Sequence, residues 1–198
     1  SFYSADKIIY EVNPHIPHLP GDCALPVAMA DVIIESDLSL YELQDPPIGE
    51  AEKAVAGYAA EMVHDGDCIQ LGFGGIPNAI GFELMNRHDL GIHTEQIGAS
   101  MARMIQQGVV TNRYKNLDKG WSVGAFIIAD NSTYEYLNNH PRVMMRRGRY
   151  TNDPMIIAQQ DNMVSINAAL QIDLTGQVAA EALGYIQWSG TGGATDFA

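Results

Sequence analysis

The sequence is short of cysteine, short of cations and without a long apolar run, and each shortage excludes something. Cys23 and Cys68 are its only cysteines, too few and too far apart for a disulfide framework. A reducing, cytoplasmic setting is the expectation. Lysine and arginine number 11 against 24 aspartates and glutamates, a net charge of −13. Such a chain repels phosphate at long range, so no nucleic-acid partner is expected. No apolar run approaches a membrane span and no basic-apolar-small leader opens the chain, so no membrane partner is expected either. What is present is 198 residues, 46% hydrophobic and 18% charged. That is enough for one good-sized core, or one core plus part of another. The chain opens at Ser1 without a methionine, which suggests processing or excision.

Along the chain, "DKIIYEVN" (6–13) and "DVIIES" (31–36) read as short strands, and "LQDPPIGE" beyond them reads as a boundary. Residues 1–45 are therefore taken as the end of a preceding domain plus a linker, and 46–198 as the first part of a second domain. After the boundary, Ala51, Ala54, Val55, Tyr58, Ala59, Met62 and Val63 form one stripe at helical spacing. "DCIQLGF" (67–73) reads as a buried strand, and Pro77 as the first residue of a following helix. "WSVGAFIIAD" (121–130) reads as another buried strand. Ser132 and Glu135 read as a capping box for the helix after it, and "NMVSINAAL" (162–170) as a further strand. "INAALQIDLTGQV" (166–178) reads as two strands joined by the turn "DLTG". Strands alternating with helices at this spacing predict an α/β fold, an open and mostly parallel sheet with helices on both faces.

Several groups of residues carry potential chemistry. "QLGFGGIPNAIG" joins a strand to a helix through Gly74 and Gly75, where bare backbone N–H groups approach a ligand or simply relieve crowding. Pro77 occupies the place of the third glycine of a dinucleotide fingerprint, so that reading fails. "SGTGGATDF", with Gly192 and Gly193, is a second glycine loop. Arg142, Arg146, Arg147 and Arg149 crowd into "RVMMRRGR", either a local anion site or a solvated strand end. His15, His18 and Cys23 have metal-ligand chemistry, but prolines at 14, 17 and 20 make that stretch an extended loop, and no metal is expected. His93 and Glu95 in "GIHTE" put an imidazole beside a carboxylate. An ordinary strand end with a satisfied histidine is the preferred reading there.

Taken together, "EVNPHIP", "LGFGGIPNAIG", "LGIHTE", "NDPMIIAQQDNMVSINAALQIDLTGQV" and "SGTGGATDF" resemble the acetyl-CoA hydrolase/transferase family of class I CoA-transferases, in the family's order along essentially the whole chain. Family members are considerably longer, so the resemblance implies an incomplete, CoA-transferase-like α/β fold. It also implies a homo-oligomer or association with missing domains. The implied chemistry is covalent: a glutamate takes the acyl group from acyl-CoA, then takes CoA, and a small carboxylic acid carries the CoA away. Coenzyme A enters as part of the substrate, and no metal is involved. The resemblance places that glutamate at Gln171. It places CoA or oxyanion contacts at Arg146, Arg147, Gly148, Arg149, Asn152, Gly74, Gly75, Gly192 and Gly193. An amide at 171 is a departure, joined by "QIGAS" after "HTE" and "RRGRYTNDP" before the second glycine loop. Three functions follow: CoA transfer, acyl-CoA hydrolysis or biosynthetic acyl transfer on the same scaffold, and a non-catalytic acyl-CoA-binding subunit. Gln171 disfavours the first and the glycine loops disfavour the last.

Overall fold

The computed structural model describes residues 4–43 and 47–198, so the centre of the expected boundary lies outside the described residues. Strands β1 (Ile9–Val12) and β2 (Val32–Glu35) pair in parallel as a ribbon of their own. The segment between them docks elsewhere. Met145 donates its N–H to the Pro20 carbonyl at 2.8 Å, and Gly21 bridges to Met145.

Helix α1 (Glu50–Glu61) has Glu50 and Glu52 in its first turn, where the helix dipole favours them. Its buried face is not the expected one. Ala56, Ala60 and Val63 are buried, while Val55, Tyr58 and Met62 point outward. Small residues win that face because α1 packs closely on α2 (Gly75–Glu83), and alanines let two helices approach.

Strand β3 (Cys68–Leu71) is buried at all four positions, as a strand covered on both faces must be. It pairs in parallel with β4 (Gly91–Ile92) on one side. On the other side it pairs with the later β9 (Met163–Ile166), also in parallel. Strand β4 runs through His93 into β5 (Gln96–Ile97), and helix α3 (Ala99–Gln106) follows. The expected single strand over 121–130 is two pieces, β6 (Ser122–Gly124) and β7 (Phe126–Ile127). The break has a local cause: Ala125 and Phe126 both donate their N–H groups to the Glu95 carbonyl, at 2.7 and 3.1 Å. Two residues facing one is the signature of a bulge, which turns side chains out of register.

Helix α4 (Asn131–Leu137) is capped by Asp130, whose carboxylate accepts from Thr133 N at 2.8 Å. Asp130 thus takes the position expected for Ser132, whose hydroxyl donates to that same carboxylate at 3.0 Å. Strand β8 (Val143–Met145) pairs with β6, and the short helices α5 (Gly148–Thr151) and α6 (Pro154–Ile157) lead into β9. Parallel ladders joined by the His93–Val123 bridge give the run β9-β3-β4/β5-β6/β7-β8. Two antiparallel hairpins follow it. The first is β10 (Gln171–Ile172) with β11 (Val178–Ala179), the second β12 (Ala182–Leu183) with β13 (Ile186–Gln187). The core under α2 and α3 is closed by Ile69, Ile80, Leu84, Ile92, Ile97 and Met104.

Candidate functional site

In an open parallel sheet, ligands collect beyond the carboxyl ends of the strands, where the connections part. Here β3 ends at Leu71 and the chain turns through Gly72, Phe73 and Gly74 into α2. Gly74 has φ +122°, a conformation that side chains rarely adopt, so the tight entry to the helix depends on it. Helix α2 begins at Gly75, two residues earlier than Pro77, because the glycines already supply the helical first turn.

Beyond these strand ends lies an open cleft of about 460 Å³. Phe73 and Glu95 line it, with Asn167 from the end of β9, Glu181, and Gly192 and Gly193 of the second glycine loop. A neighbouring cleft of about 250 Å³ shares Leu71, Gly72, Phe73, Gln96 and Ile128 with it and adds Gly74, Pro77 and Ser100. The two glycine loops expected to bind substrate therefore open onto one depression.

Glu95 is one of two carboxylates that line it, with Glu181. Strand β4 carries it there through His93 and Thr94, and the bulge at Ala125 sets its direction. Its carboxylate and Asn152 Nδ2 both crowd the position that a Cβ on Gly193 would take. A methyl group on Gly193 would overlap both. Among the described residues, no side chain pairs with the Glu95 carboxylate. The Asn152 amide is held in a definite orientation: its Oδ1 accepts from Thr151 Oγ1 at 2.9 Å, and its Nδ2 donates to Asp196 at 3.2 Å. One N–H of that amide remains for the site.

His93 anchors this arrangement from below. It is completely buried, with Nε2–H donating to the Thr151 carbonyl at 3.0 Å and the ring between Tyr150 and Phe197. It is only half satisfied, since Nδ1 has no partner among the described residues. Burial, with the nearby Lys115 charge, pushes its pKa down to about 4, so it is neutral and holds one tautomer. Lys115 is itself buried and donates to the carbonyls of Ile92 and Trp121, both at 2.8 Å.

Gln171 stands elsewhere. It is an exposed residue of the β10–β11 hairpin, its Oε1 accepts from Gly184 N at 3.0 Å, and it lines none of these clefts. Gln171, expected at the nucleophile position, thus lies outside these clefts, and the carboxylates that line the larger one are Glu95 and Glu181. The sequence held the signal in "HTE", whose only carboxylate is Glu95, but the histidine drew the reading toward a structural strand end.

The arginines expected to contact CoA also lie outside these clefts. Arg146 stacks on Tyr150 at 3.8 Å and lies 3.7 Å from Asp22 and 3.8 Å from Asp118. Arg147 donates its backbone N–H and its Nε to Asp22, at 2.8 and 2.9 Å. These two arginines tie the N-terminal segment to the sheet. Gly148 and Arg149 are exposed on α5, and none of the four lines the clefts. Of the expected contacts, Gly192, Gly193 and Asn152 come together around Glu95, Gly74 lines the neighbouring cleft, and Gly75 opens α2.

Residues 130–198 match the family model described as the acetyl-CoA hydrolase/transferase C-terminal domain. Over 193 residues the chain is 43% identical to the succinyl-CoA:cyclohexane-1-carboxylate CoA transferase of Geobacter metallireducens, covering 98% of this chain and 44% of that one. It is 41% identical to the 4-hydroxybutyrate coenzyme A transferase of Clostridium kluyveri, covering 98% and 45%. Among solved structures, RipA from Yersinia pestis superposes with a TM-score of 0.90 at 42% identity, over 99% of this chain and 45% of that one. The chain spans less than half the length of the curated relatives it matches.

Proposed function

The chain belongs to the acetyl-CoA hydrolase/transferase family, and from that premise we propose that it carries the nucleophile of a protein that moves coenzyme A between an acyl-CoA and a carboxylic acid. The observation that supports this reading is Glu95: a carboxylate in an open cleft, without a protein partner among the described residues, packed against Gly193 beside an oriented amide. A nucleophilic carboxylate needs such a setting. An ion pair would lower its reactivity, and full hydration would shield it.

In the proposed reaction, a Glu95 oxygen attacks the thioester carbonyl carbon and the C–S bond breaks, giving an acyl-glutamyl anhydride and the CoA thiolate. The thiolate then attacks the glutamyl carbonyl, releasing the first acid as its carboxylate and leaving a glutamyl-CoA thioester. The acceptor carboxylate attacks that thioester carbonyl, and the thiolate returns to the acceptor's acyl carbon. New acyl-CoA leaves and Glu95 is restored, with no proton consumed. Each tetrahedral intermediate carries an oxyanion. The free N–H of Asn152 and the backbone N–H groups of the Gly192–Gly193 loop, beside Glu95, are the donors assigned to it. Thr151 and Asp196 hold the Asn152 amide, so the donor costs no reorganisation when charge develops.

In this reading Gln171 has no covalent role. The protein in its full length tests this with two variants. Glu95→Gln is expected to lower kcat/KM for transfer by roughly three orders of magnitude or more, the loss typical of removing a nucleophile. Gln171→Glu is expected to change it little. Transfer that survives Glu95→Gln, or that depends on Gln171, would reverse the assignment.

A further inference from the structure

Asn152 stands beside Glu95 at the end of α5, so whatever places α5 also places that donor. The helix is a single turn. The Arg147 carbonyl accepts from Tyr150 N at 2.7 Å and Thr151 N at 3.2 Å, and Asn152 N donates to the Gly148 carbonyl at 2.8 Å. So short a helix does not hold itself in place, and its tethers come from other parts of the chain. One is His93, which holds the Thr151 carbonyl, and another is Asp118, whose carboxylate accepts from the Tyr150 hydroxyl at 2.6 Å. A further tether comes from far off in sequence. Asp22 Oδ1 accepts from Arg147 N at 2.8 Å, at the residue that opens the turn.

Asp22 is held to that place by several contacts. Its backbone carbonyl accepts from Arg147 Nε at 2.9 Å, and its second carboxylate oxygen lies 3.7 Å from Arg146 Nε. The Arg146 guanidinium in turn sits over the Tyr150 ring, 3.8 Å from its centroid. Backbone contacts bring Asp22 there: its N–H donates to the Met145 carbonyl at 3.2 Å, and Met145 N donates to the Pro20 carbonyl at 2.8 Å. Gly21 between them has φ +149°, and a methyl group there would overlap the Met145 carbonyl, so only glycine permits the approach.

Resting on the reading of Glu95 as nucleophile and Asn152 as oxyanion donor, we infer that Asp22 is a positioning residue for transfer. It fixes the start of α5 and, through that one turn, the Asn152 amide at its end. Asp22 is partly exposed, so its ion pair with Arg146 contributes little by itself. The directional, charge-assisted hydrogen bond to Arg147 N carries the effect. Without it α5 keeps its anchors at Tyr150 and Thr151 but can turn about them. A shift of about 1 Å at an oxyanion donor slows the chemistry and leaves ground-state binding largely intact.

The test is a double-mutant cycle on the protein in its full length, with butyryl-CoA as donor and acetate as acceptor. Asp22→Ala is expected to lower kcat about tenfold and to keep KM for butyryl-CoA within about twofold, because the lost interaction belongs to the transition state. In an Asn152→Ala background the same change is expected to cost less than about twofold, since no positioned donor is left to lose. Asp22→Asn, whose amide oxygen still accepts from Arg147 N, is expected to restore most of kcat. A residue that only stabilises the fold would give equal costs in both backgrounds. Circular dichroism checks that each variant is folded, and Asp22→Ser, one atom too short for Arg147 N, replaces Asp22→Ala in the cycle if that variant does not fold. Equal costs in the two backgrounds, an undiminished kcat in Asp22→Ala, or no recovery in Asp22→Asn overturns the inference and leaves Glu95 in place. Transfer that persists in Glu95→Gln overturns the reading of Glu95 and this inference with it, whatever the cycle shows.

Discussion

A carboxylate nucleophile has to be reachable, oriented and unpaired, and three neighbours give Glu95 those properties. Gly193 leaves it room, Asn152 offers a donor, and His93 holds the carbonyl of Thr151, the residue before Asn152. Gly193→Ala puts a methyl group where the Glu95 carboxylate and the Asn152 amide now lie. Transfer is expected to fall on the order of a hundredfold in kcat/KM, since displacements near 1 Å at a reacting group cost that much. Gly193 is itself buried, so kcat/KM is read on protein that circular dichroism shows to be folded. His93 supplies a separate prediction about stability. Its folded pKa of about 4 lies below the ordinary 6.5, so the unfolded chain binds the proton first as pH falls. The contribution of neutral His93 is whole above pH 6.5 and lost progressively as pH falls toward 4, by up to about 3 kcal/mol. Urea unfolding across that window should show the slope, and His93→Gln, which keeps a donor for Thr151, should flatten it. The site itself was half legible from sequence. The glycine loops and Asn152 stood out as motifs. Which carboxylate they surround did not, because only the fold brings residue 95 to residue 193 and leaves 171 on an outer hairpin.

Elements were easier to anticipate than their edges. Strands β1, β2, β3 and β9 were legible because runs of β-branched and apolar residues sit between turn-forming ones. Helix α1 was legible in extent but not in facing. Its sequence has two apolar stripes, and the one made of alanines is buried because helix–helix distance, not hydrophobicity, decides that contact. The break between β6 and β7 left no mark in "WSVGAFIIAD", since a bulge depends on the opposite carbonyl and not on the local residues. Helix α3 was not anticipated: at eight residues it is too short for a stripe to stand out, yet it packs on α2. That packing runs through Gly81, where an added Cβ would lie 2.7 Å from Ser100 Cβ and 3.2 Å from Leu71 Cδ1. Gly81→Ala is therefore expected to destabilise by about 1–3 kcal/mol through overpacking, despite alanine's better helix propensity. A lower denaturant midpoint would show it. A higher midpoint would mean that helix propensity outweighs the crowding.

At the scale of the whole molecule, the surfaces left bare are the informative ones. Ile9, Val12, Val32, Ile33 and Ile34 on the β1–β2 ribbon are all near half exposed, although parallel strands are ordinarily covered on both faces. The outer stripe of α1 adds Tyr58 and Met62, and the hairpins add Tyr185 and Trp188. A two-stranded ribbon has marginal stability by itself. The 198-residue chain alone is therefore expected to self-associate, detected as species heavier than the monomer in sedimentation velocity, and replacing Ile33 and Val32 with threonine should reduce this. A monodisperse monomer would show that these faces need no cover. The central claim, that Glu95 forms the covalent link to CoA, is tested most directly by trapping. The full-length protein would be incubated with butyryl-CoA, reduced with borohydride, digested and mapped by mass spectrometry. Borohydride converts a glutamyl thioester to an alcohol, so a reduced side chain at residue 95 that requires acyl-CoA is expected. A reduced residue elsewhere, or none during active turnover, would contradict it.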